Sequence, residues 1–349
     1  MMFKLDNLVR KNIRLLKPYS SARDEFKGEA SIFLDANENS LGSPLLKWYN
    51  RYPDPLQWEI KEKIAKIKNI DPEQIFLGNG SDEPIDLIFR CFCEPGIDEV
   101  IVCPPTYGMY EVSANINDIS LNRVPLNDHF QLDLPALENA IKSNTKIIWI
   151  CSPNNPTGNS IDRHDIEMVL NNFDGLVVID EAYINFARQR SFLTDLNEYP
   201  NLVVLQTLSK AWGLAGLRLG MAFATKEIIA FFNKVKPPYN ISQPVQDLVL
   251  KALDELGQVN DMIRLLVESR NHLAQALGKT SQVTHIYPSD ANFLLVRFKN
   301  AKAMYTFLLG KGIVLRDRSN VLLCDQCLRI TVGTDAENEK LLETINEFS

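Results

Sequence analysis

Residues 176–205 read LVVIDEAYINFARQRSFLTDLNEYPNLVVL, with a short β-branched run at each end. Three further runs share this apolar character: EVIVC at 99–103, KIIWIC at 146–151 and LGMAFA at 219–224. Near-continuous apolar strands are typical of a mostly parallel sheet that is covered on both faces. Helical patterns at 82–93 and 163–171 lie between these runs. The sequence therefore predicts an α/β fold with crossover connections.

After about residue 245 the pattern changes to that of a smaller α+β domain. Residues 245–277 are predicted as one long helix. Short strands are predicted at 282–287, 291–298, 312–316 and 327–332, with a helix at 304–309. The expected organisation is a helical N-terminal arm at 1–30 that joins neither core strongly, a large domain at 31–245 and a small C-terminal domain at 246–349.

The charge and hydropathy of the chain exclude several functional classes. Among 349 residues, Lys and Arg number 37 and Asp and Glu number 44, so the net charge is −7. This balance argues against a nucleic-acid-binding protein, which needs a basic face. No run reaches the ~20 apolar residues of a membrane span, and residues 1–19 lack the apolar centre of a signal peptide. We expect a cytoplasmic protein with no membrane partner.

Six cysteines occur, and Cys324-Asp-Gln-Cys327 forms a C-x-x-C motif. A structural zinc site needs two more ligands at suitable spacing. The sequence has four histidines, and none stands beside this pair. We expect free thiols and no metal.

The string TLSKAWGLAGLRLG at 207–220 follows a predicted buried strand and carries one lysine. Apolar neighbours favour a desolvated Lys210 over a solvated surface lysine, and desolvation lowers the pKa of an amine. Such a lysine forms Schiff bases with carbonyl compounds. Ser209 and Arg218 add a hydroxyl and a fork-shaped cation that suit a phosphate. The combination indicates pyridoxal phosphate.

A pyridine ring that acts as an electron sink needs a carboxylate at its nitrogen. Asp180 ends the strand LVVID and would point into the crevice, whereas Glu181 would point away by strand alternation. A helix cap or turn is the alternative role for Asp180. Tyr183 and Asn155, the latter in SPNNPTG at 152–158, can reach the phenolic oxygen of the ring.

Two further segments offer groups for the cofactor. GNGSDE at 78–83 lies between a strand and a helix, where the amides of Ser81 and Asp82 would face an anion. Tyr107, in PPTYG at 104–108, could stack on the pyridine ring. Taken alone, the first is no more than a capped helix start, and the second could be a core tyrosine.

Together these strings resemble the fold-type-I, class-II pyridoxal-phosphate aminotransferases, and within them the histidinol-phosphate aminotransferase family. The resemblance spans about residues 8–345 and is carried by PYSSAR (18–23), LDANEN (34–39), RYPD (51–54), GNGSDE, SPNNPTG, VVIDEAY (177–183), the lysine string, YNI (239–241), ANF (291–293), LRD (315–317) and LRITVGT (328–334). It implies a large domain with a mostly parallel seven-stranded sheet and a smaller α+β domain.

The resemblance also implies residue roles. Lys210 would hold the cofactor and move the substrate proton, with Asp180 at the ring nitrogen. The residues Tyr183, Asn155, Ser209, Arg218, Ser81 and Asp82 would bind the cofactor. Arg329 would bind the anionic end of the substrate, with Tyr19, Asn292 and Arg316 nearby. Tyr52 would cross a homodimer interface to the cofactor phosphate of the other subunit.

The implied reaction converts histidinol phosphate and 2-oxoglutarate to imidazole-acetol phosphate and glutamate, in histidine biosynthesis. Two alternatives use the same cofactor groups: an aromatic-amino-acid aminotransferase and a threonine-phosphate decarboxylase. A transcription regulator with an aminotransferase-like domain is disfavoured, because only about 30 residues precede LDANEN.

Overall fold

The computed structural model describes residues 3–19, 32–45, 47 and 49–348. The helices in these ranges are α1 Leu5–Leu8, α2 Lys11–Leu15, α3 Trp58–Lys68, α4 Asp82–Phe92, α5 Met109–Ile116, α6 Leu134–Ala140, α7 Arg163–Asn172, α8 Lys226–Val235, α9 Gln243–Leu253, α10 Leu256–Leu277, α11 Ala301–Gly310 and α12 Asp335–Glu347. The strands are β1 Ile75–Asn79, β2 Glu99–Val102, β3 Ser120–Arg123, β4 Thr145–Cys151, β5 Leu176–Asp180, β6 Leu202–Thr207, β7 Leu219–Phe223, β8 Val283–Ile286, β9 Phe293–Phe298, β10 Arg316–Asp317 and β11 Cys327–Thr331.

The larger sheet has seven strands within the described ranges, in the order β1-β7-β6-β5-β4-β2-β3. The pairs from β6 to β3 are parallel, and β7 runs antiparallel to both of its neighbours. Side chains of β4 alternate between two apolar cores: Trp149 packs on one face of the sheet, and Ile148 and Ile150 pack on the other. The predicted mostly parallel, doubly covered sheet is confirmed.

This topology determines where a site can form. Parallel strands present their carboxyl ends at one edge of a sheet, and in such folds ligands bind in the crevice beyond that edge. Strands β4, β5 and β6 end side by side, at Cys151, Asp180 and Thr207. The polar loops that follow them therefore converge.

The smaller sheet is antiparallel, with four described strands in the order β10-β11-β9-β8. Its apolar side packs against α10, α11 and α12 through residues that include Leu277, Leu308 and Ile345. Helix α12 begins with a capping box between Thr334 and Glu337, which satisfies free backbone donors at its start. The α+β prediction for this part of the chain is confirmed.

The prediction of one helix over 245–277 is wrong, because α9 ends at Leu253 and α10 begins at Leu256. Lys63, on α3, donates to the carbonyl of Leu250 at 3.2 Å and to the carboxylate of Asp254 at 2.7 Å. This contact between residues far apart in sequence satisfies a carbonyl in the last turn of α9. The break between α9 and α10 could not be predicted from the side-chain periodicity within 245–277, because Lys63 lies outside that segment.

The N-terminal helices also differ from expectation, since they pack on the large-sheet core. Leu8, Val9 and Ile13 are buried there, and the Arg10 amide donates to the Cys91 carbonyl at 2.9 Å. We propose the division into 1–30, 31–245 and 246–349 as domain limits. In the described ranges, no helix is both long and apolar enough to cross a membrane.

Candidate active site

A cavity of about 740 Å³ opens at the carboxyl ends of β4, β5 and β6 and is closed on one side by the small sheet. The predicted site residues that line it are Ser81, Asp82, Tyr107, Asn155, Asp180, Tyr183, Ser209, Lys210, Arg218, Arg316 and Arg329. The fold thus gathers side chains that are separated by as many as about 250 residues in sequence (81 to 329).

Asp180 is a buried carboxyl group that lines the cavity. Its Oδ2 accepts a hydrogen bond from the Tyr110 hydroxyl at 2.7 Å, and its Oδ1 accepts from the Ala182 amide at 3.0 Å. Burial raises the pKa of Asp180, while these two hydrogen bonds act to lower it. The two donors favour the ionised carboxylate that a protonated pyridine nitrogen requires.

Tyr110 was missed by sequence reasoning. It lies on α5 three residues after Tyr107, and its fully buried ring stacks on Trp149 with centroids 4.8 Å apart. The Tyr107 ring meets Tyr110 edge-on at 5.6 Å. Tyr107 lies before α5 begins at Met109, so helical spacing from Tyr107 carried no signal for Tyr110.

Lys210 projects into the cavity, with its Nζ 5.6 Å from the centre of the Tyr183 ring. Desolvation is the largest cause that lowers the Lys210 pKa, and the nearby positive charge of Arg329 adds to it. Asp180 acts in the opposite direction. A lowered pKa increases the fraction of neutral amine near neutral pH, which is the nucleophilic form.

The neighbouring Glu181 carboxylate has a structural role. It points away from the cavity, as strand alternation predicts. It accepts hydrogen bonds from the Phe192 amide at 2.7 Å, from Gln206 at 2.9 Å and from the Ser191 hydroxyl. Adjacent acidic residues thus have separate roles: Asp180 lines the cavity, and Glu181 ties the 191–192 segment to β6.

An anion cradle lies where α4 begins. Ser81 is the cap residue of α4, and Arg218 donates to Ser209 Oγ at 3.5 Å and lies 3.8 Å from Asp82 Oδ2. Gly80 has φ of +75°, and an added Cβ there would lie 2.6 Å from Arg218 Nη2. These donors approach closely only because a side chain is absent, and they suit a phosphate.

Arg329 connects the small sheet to the large one. It donates to Asn155 Oδ1 at 2.5 Å, and its Cζ lies 5.2 Å from the Phe293 ring. Burial lowers the Arg329 pKa, with a further contribution from the positive charge of Arg316. Since the Asn155 oxygen is engaged, its amide group is left to donate toward the cavity.

Three predicted site residues are not brought into the cavity of this chain. Tyr19 is largely exposed, and the main chain of Asn292 accepts from the Val332 amide at 3.0 Å. Tyr52 stacks on Tyr239 with centroids 4.4 Å apart and is half exposed. Their roles stay predictions. Arg23, in the PYSSAR string, lies outside the described residues.

Both cysteines of the C-x-x-C motif are buried, and the Cys327 amide donates to the Cys324 carbonyl at 3.0 Å. Burial raises the pKa of Cys324 to about 12, which disfavours the thiolate form that reacts and binds metals. Across the part of the chain that the structure describes, no group of three His, Cys, Asp or Glu side chains could hold a metal.

The chemistry of the donor set fits the pyridoxal phosphate expected from the sequence. The cradle of Ser81, Ser209 and Arg218 suits its phosphate, Asp180 suits its ring nitrogen, and the ring of Tyr107 borders the space between them.

Residues 46–345 match the family described as aminotransferase class I and II. The chain belongs to this family. Among curated relatives, a histidinol-phosphate aminotransferase of Cytophaga hutchinsonii is 52% identical over 348 residues and covers all of both chains. One of Parabacteroides distasonis is 54% identical over 347 residues, which is 99% of each chain. Such full-length similarity extends the family assignment across both sheets.

Solved structures of aminotransferases share the fold. The histidinol-phosphate aminotransferase of Clostridium acetobutylicum matches with a TM-score of 0.79 at 24% identity, covering 86% of this chain and 90% of that one. A threonine-phosphate decarboxylase of Porphyromonas gingivalis matches with a TM-score of 0.74, also at 24% identity, covering 86% and 91%. The fold therefore accommodates both transamination and decarboxylation, and it does not distinguish them.

The close packing of the cradle predicts that Gly220→Ala disrupts cofactor binding. An added Cβ at Gly220 would lie 2.2 Å from the Ser81 amide nitrogen and 2.3 Å from the Gly80 carbonyl carbon, and neither backbone atom can turn aside. Overpacking of this kind costs roughly 1–3 kcal/mol, so the dissociation constant for pyridoxal phosphate should rise by roughly 5- to 150-fold. Fluorescence titration of the apoprotein measures it.

Gly216→Ala is the matched control, because an added Cβ there meets nothing within 4 Å. Circular dichroism checks that both variants fold. Equal affinities in the two folded variants would contradict the cradle assignment.

Proposed function

We propose that this chain is a pyridoxal-phosphate-dependent transaminase that interconverts L-histidinol phosphate plus 2-oxoglutarate and imidazole-acetol phosphate plus L-glutamate, in histidine biosynthesis. Full-length identity of about one half to histidinol-phosphate aminotransferases supports this substrate pair. The observation that carries the chemistry is that Lys210, the buried Asp180 and Arg329 line one cavity, where the charges of the other two act on Lys210.

When bound, pyridoxal phosphate supplies an aldehyde for amine exchange and a ring that spreads negative charge. Lys210 would hold this aldehyde, and its free amine would take the proton from the substrate carbon that bears nitrogen. Asp180, which accepts a hydrogen bond from Tyr110, would pair with the ring nitrogen as a carboxylate. The hydroxyl of Tyr183 and the amide of Asn155 would orient the phenolic oxygen.

Arg329 is positioned to bind an anionic group of both substrates. Its guanidinium binds a carboxylate or a phosphate through two parallel hydrogen bonds, which a lysine cannot reproduce. Its contact with Asn155 connects substrate binding to a residue that faces the cofactor. Arg316 lies directly across the strand pair from Arg329 and faces the same cavity.

Two other reactions are compatible with the same cofactor residues: transamination of aromatic amino acids and decarboxylation of threonine phosphate. Decarboxylation breaks a carbon–carboxylate bond, and histidinol phosphate carries no carboxylate. A half-reaction panel with histidinol phosphate, tyrosine, phenylalanine and threonine phosphate therefore separates the three reactions by absorbance and by release of carbon dioxide.

For the wild type we expect histidinol phosphate to react with the highest kcat/KM in this panel. Lys210→Ala should abolish turnover, because both the covalent link to the aldehyde and the amine that moves the proton are lost. The protein should remain folded and still bind pyridoxal phosphate in equilibrium dialysis, because the residues that suit its phosphate and ring nitrogen remain. Lys226→Ala is the control: this lysine pairs with Asp71 and Glu73 at an exposed position. Near-native turnover of Lys210→Ala would overturn the assignment.

We also propose that the protein acts as a cytoplasmic homodimer in which Tyr52 serves the active site of the other subunit. Tyr52 is half exposed and lies outside the cavity of its own chain. The described segment around it carries largely exposed apolar side chains at Ile32, Leu34, Leu41 and Leu45. Exposed apolar groups in such number mark an interaction surface, and an isologous dimer is the commonest soluble assembly.

Complementation tests the shared site. Lys210→Ala and Tyr52→Ala are each prepared as weakly active proteins and then refolded together. In a mixed dimer, one site carries both changes and the other carries neither. With random mixing, about a quarter of all sites should be intact, so that share of wild-type activity should return. If heterodimers form and activity stays at the level of the parents, Tyr52 does not act across the interface.

A further inference from the structure

Three arginines converge on the small-sheet side of the cavity: Arg316, Arg318 and Arg329. Arg318 was not singled out by the sequence. Arg316 and Arg318 are two apart on one strand segment, so their side chains leave the same face, and Asp317 between them leaves the other. The Arg318 amide donates to the Cys327 carbonyl at 3.0 Å, which continues the β10–β11 pairing.

Without a bound anion, this cluster of arginines is electrostatically unfavourable. Arg316 is paired directly with Arg329 across the two strands, and like charges in that position repel. The Asp317 carboxylate accepts from the Ser319 amide at 2.8 Å. Within the described residues, Arg316 and Arg318 form no salt bridge, and the buried Nε of Arg318 has no hydrogen-bond partner.

Positive charge is in excess on the small-sheet side of the cavity, where Arg316, Arg318 and Arg329 lie. Arg218 and Ser209 lie at the cradle, where Asp82 is 3.8 Å from Arg218, and Asp180 lines the same cavity. Burial lowers the pKa of Arg318, and the positive charges of Arg329 and Arg316 lower it further. Among the residues that the structure describes, no carboxylate forms a salt bridge with Arg316, Arg318 or Arg329, so an anionic ligand would supply the missing negative charge.

The two substrates of the proposed reaction differ in the anion they bring. A carboxylate has two oxygens and one negative charge, and the fork of Arg329 satisfies both oxygens. A phosphate monoester has three free oxygens and close to two negative charges at neutral pH. Its third oxygen and second charge need another donor. Arg318 is the candidate, because it is partly buried and its buried Nε has no partner, whereas Arg316 is exposed.

We propose that Arg318 is a specificity-determining residue that selects a phosphate monoester over a carboxylate in the substrate pocket. The inference rests on the proposed function, because it assigns Arg318 to the phosphorylated member of the substrate pair. Arg329 binds either anion, whereas Arg318 strengthens the binding of the phosphate alone.

Arg318→Gln tests this in the two half-reactions. Loss of one partner of a desolvated charge pair weakens binding by roughly 30-fold or more. We expect kcat/KM for histidinol phosphate to fall by roughly 30-fold. The fall in kcat/KM for glutamate should be at least ten times smaller. Arg329→Ala should lower kcat/KM for both histidinol phosphate and glutamate. Arg264→Gln removes an equal charge from an exposed position on α10 and controls for the long-range field.

Binding without turnover supplies a second readout. Histidinol phosphate and unphosphorylated histidinol are titrated by calorimetry into the enzyme loaded with pyridoxamine phosphate, which cannot react with an amine. Arg318→Gln should weaken the binding of histidinol phosphate by roughly 30-fold and the binding of histidinol by much less. Equal losses for the two ligands, or for the two half-reactions, would overturn the role of Arg318. A wild-type enzyme that does not use histidinol phosphate would instead overturn the proposed function.

Discussion

The hydrogen bond from the Tyr110 hydroxyl to the Asp180 carboxylate is the contact on which the chemistry of the site depends. A buried carboxylate without donors would take up a proton, because burial disfavours its charged form. Hydrogen bonds to a charged group contribute about 1.5–3 kcal/mol each, and Asp180 accepts two from the protein. Only an ionised Asp180 can hold a proton on the ring nitrogen of the cofactor.

The fold secures this contact from both partners. Asp180 is the last residue of a central strand, and parallel neighbours on both sides fix its position. Tyr110 is held by a stack in which Trp149 lies between the Tyr110 and Phe89 rings, with centroids at 4.8 Å and 5.3 Å. All three rings are buried, so packing restricts where the Tyr110 hydroxyl lies. The large sheet thus supplies the rigid half of the site, and the small sheet supplies the arginines that face the substrate.

Residues next to a strand end or a glycine-rich turn were predictable from the sequence. Asp180, Lys210 and Arg218 follow apolar runs, and strand alternation predicted the opposite directions of Asp180 and Glu181. Tyr110 and Arg318 were not predictable in this way. Tyr110, on α5, depends on a stack with Trp149 from β4, and Arg318 depends on the register that pairs β10 with β11. The break between α9 and α10 likewise depends on Lys63, about 190 residues earlier.

The protonation of the cofactor nitrogen tests this account most directly. The enzyme is loaded with pyridoxal phosphate carrying ¹⁵N in the ring, and the nitrogen chemical shift is recorded for the wild type and for Asp180→Ala. The account predicts a protonated nitrogen in the wild type and an unprotonated one in the variant at neutral pH, because Asp180 is the group that stabilises the proton. A nitrogen that is unprotonated in the wild type, or equally protonated in both, would contradict it.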